Sequence, residues 1–233
     1  MNLITILYCT SNKLNRETME AVWHQLNQSI SSSAMIYGRY PIIIVSQKKT
    51  GFTSTKELVV GEIGSSCYNF FYQMLLGARM IKTPYIAHVD DDTLYPVEHF
   101  QALPSNLDTF LYNTNSWTGG SREYWRKKDR YGMYCTISPT KKLIEILEAR
   151  FKKYPTPPRD DHHFGEPGKF EHEFGIANPA VETFETKVPI VRFEYRGSIN
   201  GKMKRFGRTE SEYTTDLPQW GNARKLRKDF KLT

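Results

Sequence analysis

The chain has 233 residues, and its apolar content of 39%, with 13% aromatics, is enough for a hydrophobic core and argues against a disordered protein. It contains neither an apolar run long enough for a membrane span nor a signal-peptide pattern, and its three cysteines lack disulfide or zinc spacing, so we expect reduced thiols in the cytoplasm. The net charge of +7 indicates a polyanionic partner.

The first hundred residues alternate between predicted strands and helices. Residues 3–8 are predicted as a strand, residues 17–30 as a helix with apolar side chains at helical spacing, and residues 41–46 as a second buried strand. Gly64-Ser65-Ser66 is a typical start for a helix, predicted over residues 68–80. With the strand that follows, this β-α-β-α-β order predicts an α/β fold with a mixed, mostly parallel sheet flanked by helices.

The most informative stretch is the run from Ile86 to Asp92, a short apolar strand that ends in three adjacent carboxylates. Adjacent acids repel one another and are costly to hold in a fold unless a cation offsets them. Carboxylate oxygens suit Mg²⁺ or Mn²⁺, which usually share their ligands with substrate phosphates. Since open α/β sheets bind ligands at strand carboxyl ends, we expect a metal–diphosphate site here, with an exposed acidic loop as the alternative.

The second half of the chain shows fewer regular elements. Residues 110–113 are predicted as a strand, and residues 131–137, which alternate weakly, as an edge or antiparallel strand. Ser138 and Pro139 mark the start of another helix, which a proline-rich stretch at residues 154–158 ends. The glycine patterns of ATP-binding P-loops and dinucleotide sites are missing, as is the GxSxG of α/β-hydrolases, which argues against those classes.

Two polar segments of this half are candidates for chemistry. The first holds Asp161, Glu171 and Glu173 among histidines and glycines; such carboxylates suit general-base work, and an exposed polar loop is the alternative. The second, residues 192–206, alternates arginine and lysine with glycines that let the backbone approach phosphate. From Arg196 onward ten basic and four acidic residues give +6, so this end binds a polyanion or is a solvated tail.

Three features together resemble the GT-A glycosyltransferases, which carry a DxD motif. They are the run Tyr8-Cys9-Thr10-Ser11-Asn12 after the first strand, the Gly-Ser helix start, and HVDDDTLYP at residues 88–96. The resemblance implies a Rossmann-like GT-A sheet in a single domain over residues 1–233, with a nucleotide-sugar-binding half (1–115) and an acceptor-binding half (116–233). It also implies transfer from a nucleotide-diphosphate sugar, a UDP-sugar, to an acceptor hydroxyl.

Residue by residue, the resemblance places Mn²⁺ or Mg²⁺ on Asp90 and Asp92, and Asp91 near the donor ribose or sugar. Tyr8 and Thr10 line the nucleoside pocket. Three residues of the basic segment are candidates for binding the donor phosphates, namely Lys202, Lys204 and Arg205.

The family also implies an acidic base if the reaction inverts, and no dedicated base if it retains configuration. Glu171 or Glu173 matches the base by position, and Asp161 is a rival. The histidine that often completes the family's metal shell has no counterpart after His172, so Asn200, Ser198 or water are the alternatives.

A narrower resemblance links the short, cationic chain to phage-type transferases that glycosylate hydroxymethylated DNA bases in the host cytoplasm. It implies double-stranded DNA as acceptor, bound by basic side chains at the phosphates and by aromatic side chains that stack on bases. The candidate acceptor residues are Trp117, Trp125, Arg196 and Asn200, with Trp220 as a further aromatic; tryptophans packed in the core are the alternative. The other functions left open are a transferase building a cell-surface saccharide or lipid-linked glycan, a metal-dependent nuclease or phosphohydrolase, and a non-catalytic nucleic-acid-binding module.

Overall fold

The structure is a computed structural model that describes residues 2–37, 40–127, 131–158, 166–195 and 211–232, with the backbone alone over residues 33–37. The strands in chain order are β1 (Ile4–Thr10), β2 (Ile42–Ser46), β3 (Lys56–Val59), β4 (Tyr85–Asp90), β5 (Thr93–Leu94), β6 (Thr109–Asn113), β7 (Ser116–Gly119), β8 (Tyr124–Lys127), β9 (Thr136–Pro139), β10 (Ala180–Phe184), β11 (Ile190–Phe193), β12 (Ser211–Thr214), β13 (Asp216–Leu217) and β14 (Gly221–Asn222). The α-helices are α1 (Arg16–Tyr37), α2 (Cys67–Ala78), α3 (Thr140–Lys153) and α4 (Ala223–Asp229).

A seven-stranded sheet forms the centre of the described chain, in the order β10-β6-β9-β4-β1-β2-β3. Strand β9 pairs antiparallel with both its neighbours, whereas every other pairing in this sheet is parallel. β1 and β2 are buried along their whole length, because helices cover both faces of the sheet. The prediction of a mixed, mostly parallel sheet flanked by helices is confirmed.

The two faces of the sheet are covered by different helices. On one face, Trp23 of α1 meets Tyr8 of β1 edge-on, with the ring centres 5.3 Å apart. On the other face, α2 packs so closely that a Cβ on Gly77 would lie 2.3 Å from a methyl carbon of Leu7. Adjacent residues of a strand point to opposite faces, so Leu7 and Tyr8 place α2 and α1 on opposite sides.

Helix α2 begins where the sequence predicts. Ser66 has extended backbone angles, and its side chain accepts a hydrogen bond from the Asn69 amide, 3.1 Å away. This cap satisfies one of the amides that the first helical turn leaves without a partner. Helix α1, by contrast, extends seven residues beyond the predicted end at residue 30.

The sequence did not predict a second sheet, which has the order β12-β8-β7-β11-β5. Its strands have two to four residues, which is too short for a clear alternating pattern. This sheet and α4 pack around a second apolar cluster that includes Met19 and Val22 of α1. Helix α1 therefore links the two cores, since its Trp23, Leu26 and Ile30 belong to the first.

The segment predicted as an edge or antiparallel strand at residues 131–137 is divided in the structure. A 3₁₀ turn occupies Met133–Cys135, and β9 follows. Of the two predicted alternatives, the antiparallel strand is the one that the structure shows. β9 is not an edge strand, because it lies inside the sheet between β4 and β6. Among the described residues, no helix is both long and apolar enough to cross a membrane.

One buried histidine has no polar environment. His99 is fully buried against Tyr95 and Phe184, and neither ring nitrogen has a hydrogen-bond partner among the described residues. Burial lowers the pKa of His99 from 6.5 to about 3. The imidazole is therefore held uncharged in the fold, while in the unfolded chain it takes up a proton near its ordinary pKa.

His99→Phe is expected to reduce the loss of stability in acid. Below pH 6.5 the unfolded chain binds a proton that the folded chain does not, which costs the native protein about 1.4 kcal/mol per pH unit. Urea unfolding of both proteins, compared between about pH 6.5 and 4.5, measures the difference. Equal slopes of unfolding free energy against pH would show that His99 takes up its proton in the native state.

Candidate active site

The candidate site lies where β1 and β4 end side by side. The strand order reverses here, because the chain runs outward from β1 to β3 and then returns to place β4 on the other side of β1. Cys9 pairs with Asp90, so the residues that follow, Thr10 and the rest of the acidic triplet, meet at one edge. Such a reversal opens a crevice at the strand carboxyl ends, which is the usual ligand position in open α/β sheets.

A buried side-chain amide forms hydrogen bonds near the carboxyl ends of β1 and β2. The Gln73 side chain of α2 donates to the carbonyls of Thr10 and Val45, at 2.9 and 3.1 Å. Gln73 thereby joins β1 and β2 directly under the candidate site.

The carboxylates of Asp91 and Asp92 are buried, which is costly for charged groups. The Thr10 hydroxyl donates to Asp91 Oδ2, and the Thr93 hydroxyl donates to Asp92 Oδ1 at 2.9 Å. Burial raises the pKa of both carboxyls above the ordinary range, and the charge of Asp90 raises them further. With all three carboxyls ionised, the triplet would hold more negative charge than its surroundings compensate.

Asp90 is held at its side chain and at its backbone. His88 Nε2 lies 2.7 Å from Asp90 Oδ1, and the Asp90 amide donates to the Tyr95 hydroxyl at 3.1 Å. The Tyr95 hydroxyl in turn donates to the carbonyl of Tyr134 at 2.9 Å. About 19% of the Asp90 side chain is exposed, so it remains accessible from solvent.

Arg192 brings a positive charge to the triplet. It lies on β11 opposite Thr93 of β5, and its guanidinium carbon is 4.3 Å from the centre of the Tyr134 ring. Burial acts to lower the pKa of Arg192, but Tyr134 and Asp92 raise it, so the guanidinium stays charged. The sequence placed this residue in a phosphate-binding loop; the structure places it in a strand beside the acids.

Two phenols also lie in the electric field of the triplet. Burial and the charge of Asp91 raise the pKa of both Tyr8 and Tyr195. The Tyr8 hydroxyl is completely buried and has no hydrogen-bond partner among the described residues. An unpaired hydroxyl of this kind is costly, and a bound ligand or water would satisfy it.

The loops after β1 and β2 are joined by Asn12. This residue has a left-handed backbone, with φ of 53°, and its Oδ1 accepts from the amides of Gln47 and Lys48 at 2.9 and 2.8 Å. The Gln47 side chain pairs with both backbone groups of Gly64. The region predicted to line a nucleoside pocket is therefore a hydrogen-bonded framework.

The residues present suit a divalent metal shared with phosphates. No group of three or more metal-ligating side chains converges in the part of the chain that the structure describes. Mg²⁺ and Mn²⁺ do not need one, since they often use one or two carboxylates and take their other ligands from water and substrate phosphate. The raised pKa values of Asp91 and Asp92 are what a site for an additional cation would show.

The predicted base residues have different environments. Glu171 is completely buried in an ion pair with Arg150, with Oε1 2.7 Å from Nη2, and it also accepts from the Gly168 amide. Its oxygens are thus occupied, which favours a structural role over that of a base. Glu173 is exposed. Asp161 lies outside the described residues.

Glu166 was not singled out from the sequence. Its Oε2 is paired with Lys169 Nζ at 2.7 Å, while 43% of the side chain remains exposed. Its charge acts on Tyr134 and Arg192, which places the carboxylate on the Arg192 side of the site. No local sequence signal distinguishes Glu166 from other loop acids.

The structure describes two of the predicted acceptor residues, Trp117 and Trp125, and does not bring these two together. Thr118 of β7 is paired with Trp125 of β8, so Trp125 and Trp117 point to opposite faces of the second sheet. Trp117 is buried in the second core with Arg126 above its ring at 4.8 Å, and Trp220 donates to the Pro189 carbonyl. The remaining predictions, namely Arg196, Ser198, Asn200, Lys202, Lys204 and Arg205, lie outside the described residues.

Comparison with known proteins supports the fold. No protein-family model and no curated protein sequence matches the chain. A glycosyltransferase involved in the glycosylation of the major capsid of PBCV-1 is 10% identical with a TM-score of 0.50, over 81% of this chain and 91% of that one. S. aureus TarS 1–349, in complex with UDP-GlcNAc, is 11% identical with a TM-score of 0.50, over 88% of this chain and 62% of that one.

A nucleotidyl transferase from Methanothermobacter thermautotroptrophicus matches at a TM-score of 0.45 and 12% identity, over 64% of this chain and 76% of that one. The two neighbours that reach a TM-score of 0.50 are the capsid glycosyltransferase and TarS. The fold of this chain is GT-A-like, as the resemblance implied.

Glu171→Gln is expected to destabilise the fold, whereas Glu173→Gln is expected to leave its stability almost unchanged. Loss of the buried charge removes the carboxylate that compensates Arg150 and should lower the unfolding free energy by about 3–5 kcal/mol, whereas the exposed Glu173→Gln should change it by less than about 0.5 kcal/mol. Chemical denaturation measures both. A stable Glu171→Gln protein that binds donor but does not transfer sugar would instead identify Glu171 as the base.

Proposed function

We propose that this protein is a glycosyltransferase that moves a sugar from a nucleotide-diphosphate sugar to an acceptor hydroxyl. The observation that supports it most is the acidic triplet at the point where strand order reverses in a GT-A-like sheet, with two buried carboxyls whose pKa values are raised. The framework of Asn12 and Gln47 is then the nucleoside side of the crevice. The UDP-GlcNAc bound to the TarS neighbour supports a UDP-sugar as donor.

Asp90 and Asp92 are the residues that would hold Mn²⁺ or Mg²⁺ in this reaction. When bound, the metal supplies Lewis-acid stabilisation of the diphosphate that leaves as the sugar–oxygen bond breaks. Thr93 orients Asp92 and the charge of Arg192 partly compensates it, while Thr10 orients Asp91 toward the donor ribose or sugar. The packed sheets beneath the triplet exclude water from one side of the reaction.

Proton transfer from the acceptor hydroxyl needs a base if configuration inverts. Glu173 and Asp161 remain candidates, and Glu166 joins them because its carboxylate is partly exposed on the Arg192 side. If the reaction retains configuration, none of the three has this role.

Asp92→Asn should abolish sugar transfer while leaving the fold intact. The substitution keeps an acceptor for the Thr93 hydroxyl but removes a charge, so we expect the transfer rate to fall about 100-fold or more. The matched control is Asp108→Asn, an exposed acid in the loop before β6. Transfer is measured with a panel of nucleotide-diphosphate sugars and Mn²⁺, with circular dichroism as the test of folding.

Full activity of Asp92→Asn, or of the wild-type protein in excess chelator, would contradict the metal role. Cleavage of phosphodiesters by the wild-type protein without a nucleotide sugar would favour the nuclease or phosphohydrolase alternative.

The acceptor that we propose is double-stranded DNA with hydroxymethylated bases, and the net charge of +6 from Arg196 onward supports it. If so, the logarithm of the binding constant should fall linearly with the logarithm of salt concentration. Replacing Lys202, Lys204 and Arg205 by alanine should flatten the slope by about 0.9 for each DNA phosphate that the variant no longer neutralises. Fluorescence anisotropy with labelled duplex measures the slope. Absence of salt-sensitive binding would favour a saccharide or lipid-linked acceptor, as would transfer to glycans alone.

A further inference from the structure

His88 is a buried polar residue that the reaction described so far does not use. Only about 1% of its surface is exposed, and the ring stands edge-on to Phe70 of α2, with ring centres 5.2 Å apart. It lies two residues before Asp90 on β4, so both side chains are on the same face of the sheet. A histidine in the middle of an otherwise apolar strand requires an explanation.

The contact with Asp90 defines which imidazole nitrogen carries the proton. Nε2 is 2.7 Å from Asp90 Oδ1, while Nδ1 is buried with no partner among the described residues. A carboxylate oxygen accepts hydrogen bonds, so Nε2 must donate. Leaving the lone pair of Nδ1 unpaired costs less than leaving a buried N–H unpaired.

This hydrogen bond occupies one of the two Asp90 oxygens and fixes the rotation of the carboxylate. The Asp90 backbone is fixed independently by Tyr95 and by the pairing of β4 with β1. The other oxygen, Oδ2, accepts no hydrogen bond among the described residues, and about 19% of the side chain is exposed. Asp90 therefore keeps one carboxylate oxygen available as a ligand atom.

We propose that His88 is a positioning residue, which holds Asp90 so that a single oxygen faces the metal–diphosphate position. This inference rests on the proposed function, since Asp90 is a metal ligand only within it. Groups that orient a metal ligand typically change metal affinity 10- to 100-fold when removed. His88 acts here through the Nε2–H bond, and not through its bulk.

Three variants test the hydrogen bond separately from packing. His88→Phe keeps a ring against Phe70 but removes the donor, and His88→Gln places an amide N–H within reach of Asp90. His99→Phe is the matched control, because it makes the same replacement at the other fully buried histidine. Isothermal titration calorimetry with UDP measures nucleotide affinity with and without Mn²⁺, and thermal unfolding confirms that each protein is folded.

The expected result is specific to the metal. His88→Phe should weaken Mn²⁺-dependent UDP binding by about 10-fold or more, with metal-free UDP binding unchanged. His88→Gln should restore most of the affinity, and His99→Phe should bind as the wild type does. The inference is overturned if Mn²⁺ increases the UDP affinity of His88→Phe as much as it increases that of the wild type. It is also overturned if His88→Gln does not restore Mn²⁺-dependent UDP binding.

A second measurement does not depend on a folded variant or on a ligand. In wild-type protein with ¹⁵N-labelled histidine, nuclear magnetic resonance should show His88 with its proton on Nε2, engaged in a hydrogen bond. A proton on Nδ1 instead would overturn the inference. If His88 has the expected tautomer but the wild-type protein binds no nucleotide with any metal, the proposed function fails and the hydrogen bond itself stands.

Discussion

Three adjacent carboxylates at the edge of a buried sheet are the constraint on which the rest of this structure depends. Two of them, Asp91 and Asp92, are buried. A charged carboxylate loses its hydration on burial, so the pKa values of these two carboxyls rise. The fold supplies hydroxyl donors from Thr10 and Thr93 and one guanidinium from Arg192. These groups compensate part of the charge, and the excess is the physical reason to expect a cation there.

The surrounding groups come from distant parts of the chain. Thr10 belongs to the first strand, His88 to the acid-bearing strand, and Arg192 to a strand of the second sheet. Helix α1 packs against both apolar clusters and so fixes the second sheet relative to the first. Small displacements of one layer would therefore change the electrostatics of the triplet, since packed layers transmit strain.

In the first half of the chain the sequence was sufficient for β1, β2, α2 and β4 and for the position of the acidic triplet, but it predicted neither β3 nor the last seven residues of α1. Long apolar periodicities and the Ser66 cap carry that information locally. The second sheet was missed because its strands are short, and the position of Arg192 beside the acids was missed because only strand pairing brings it opposite Thr93. The buried ion pair of Glu171 with Arg150, 21 residues earlier, could not be predicted from the local sequence that suggested Glu171 as a base. Roles that depend on non-local contacts could not be predicted from local patterns.

The position of β9 has a consequence for any attempt to divide the protein. Strand β4 has β1 on one side, and its other side is completed by residues 136–139. A fragment ending at residue 115 would leave the backbone amides and carbonyls of the acid-bearing strand open along that side. Open strand edges recruit further strands from other molecules, so such a fragment is expected to self-associate. Residues 1–115 therefore need the later part of the chain to cover this edge of β4.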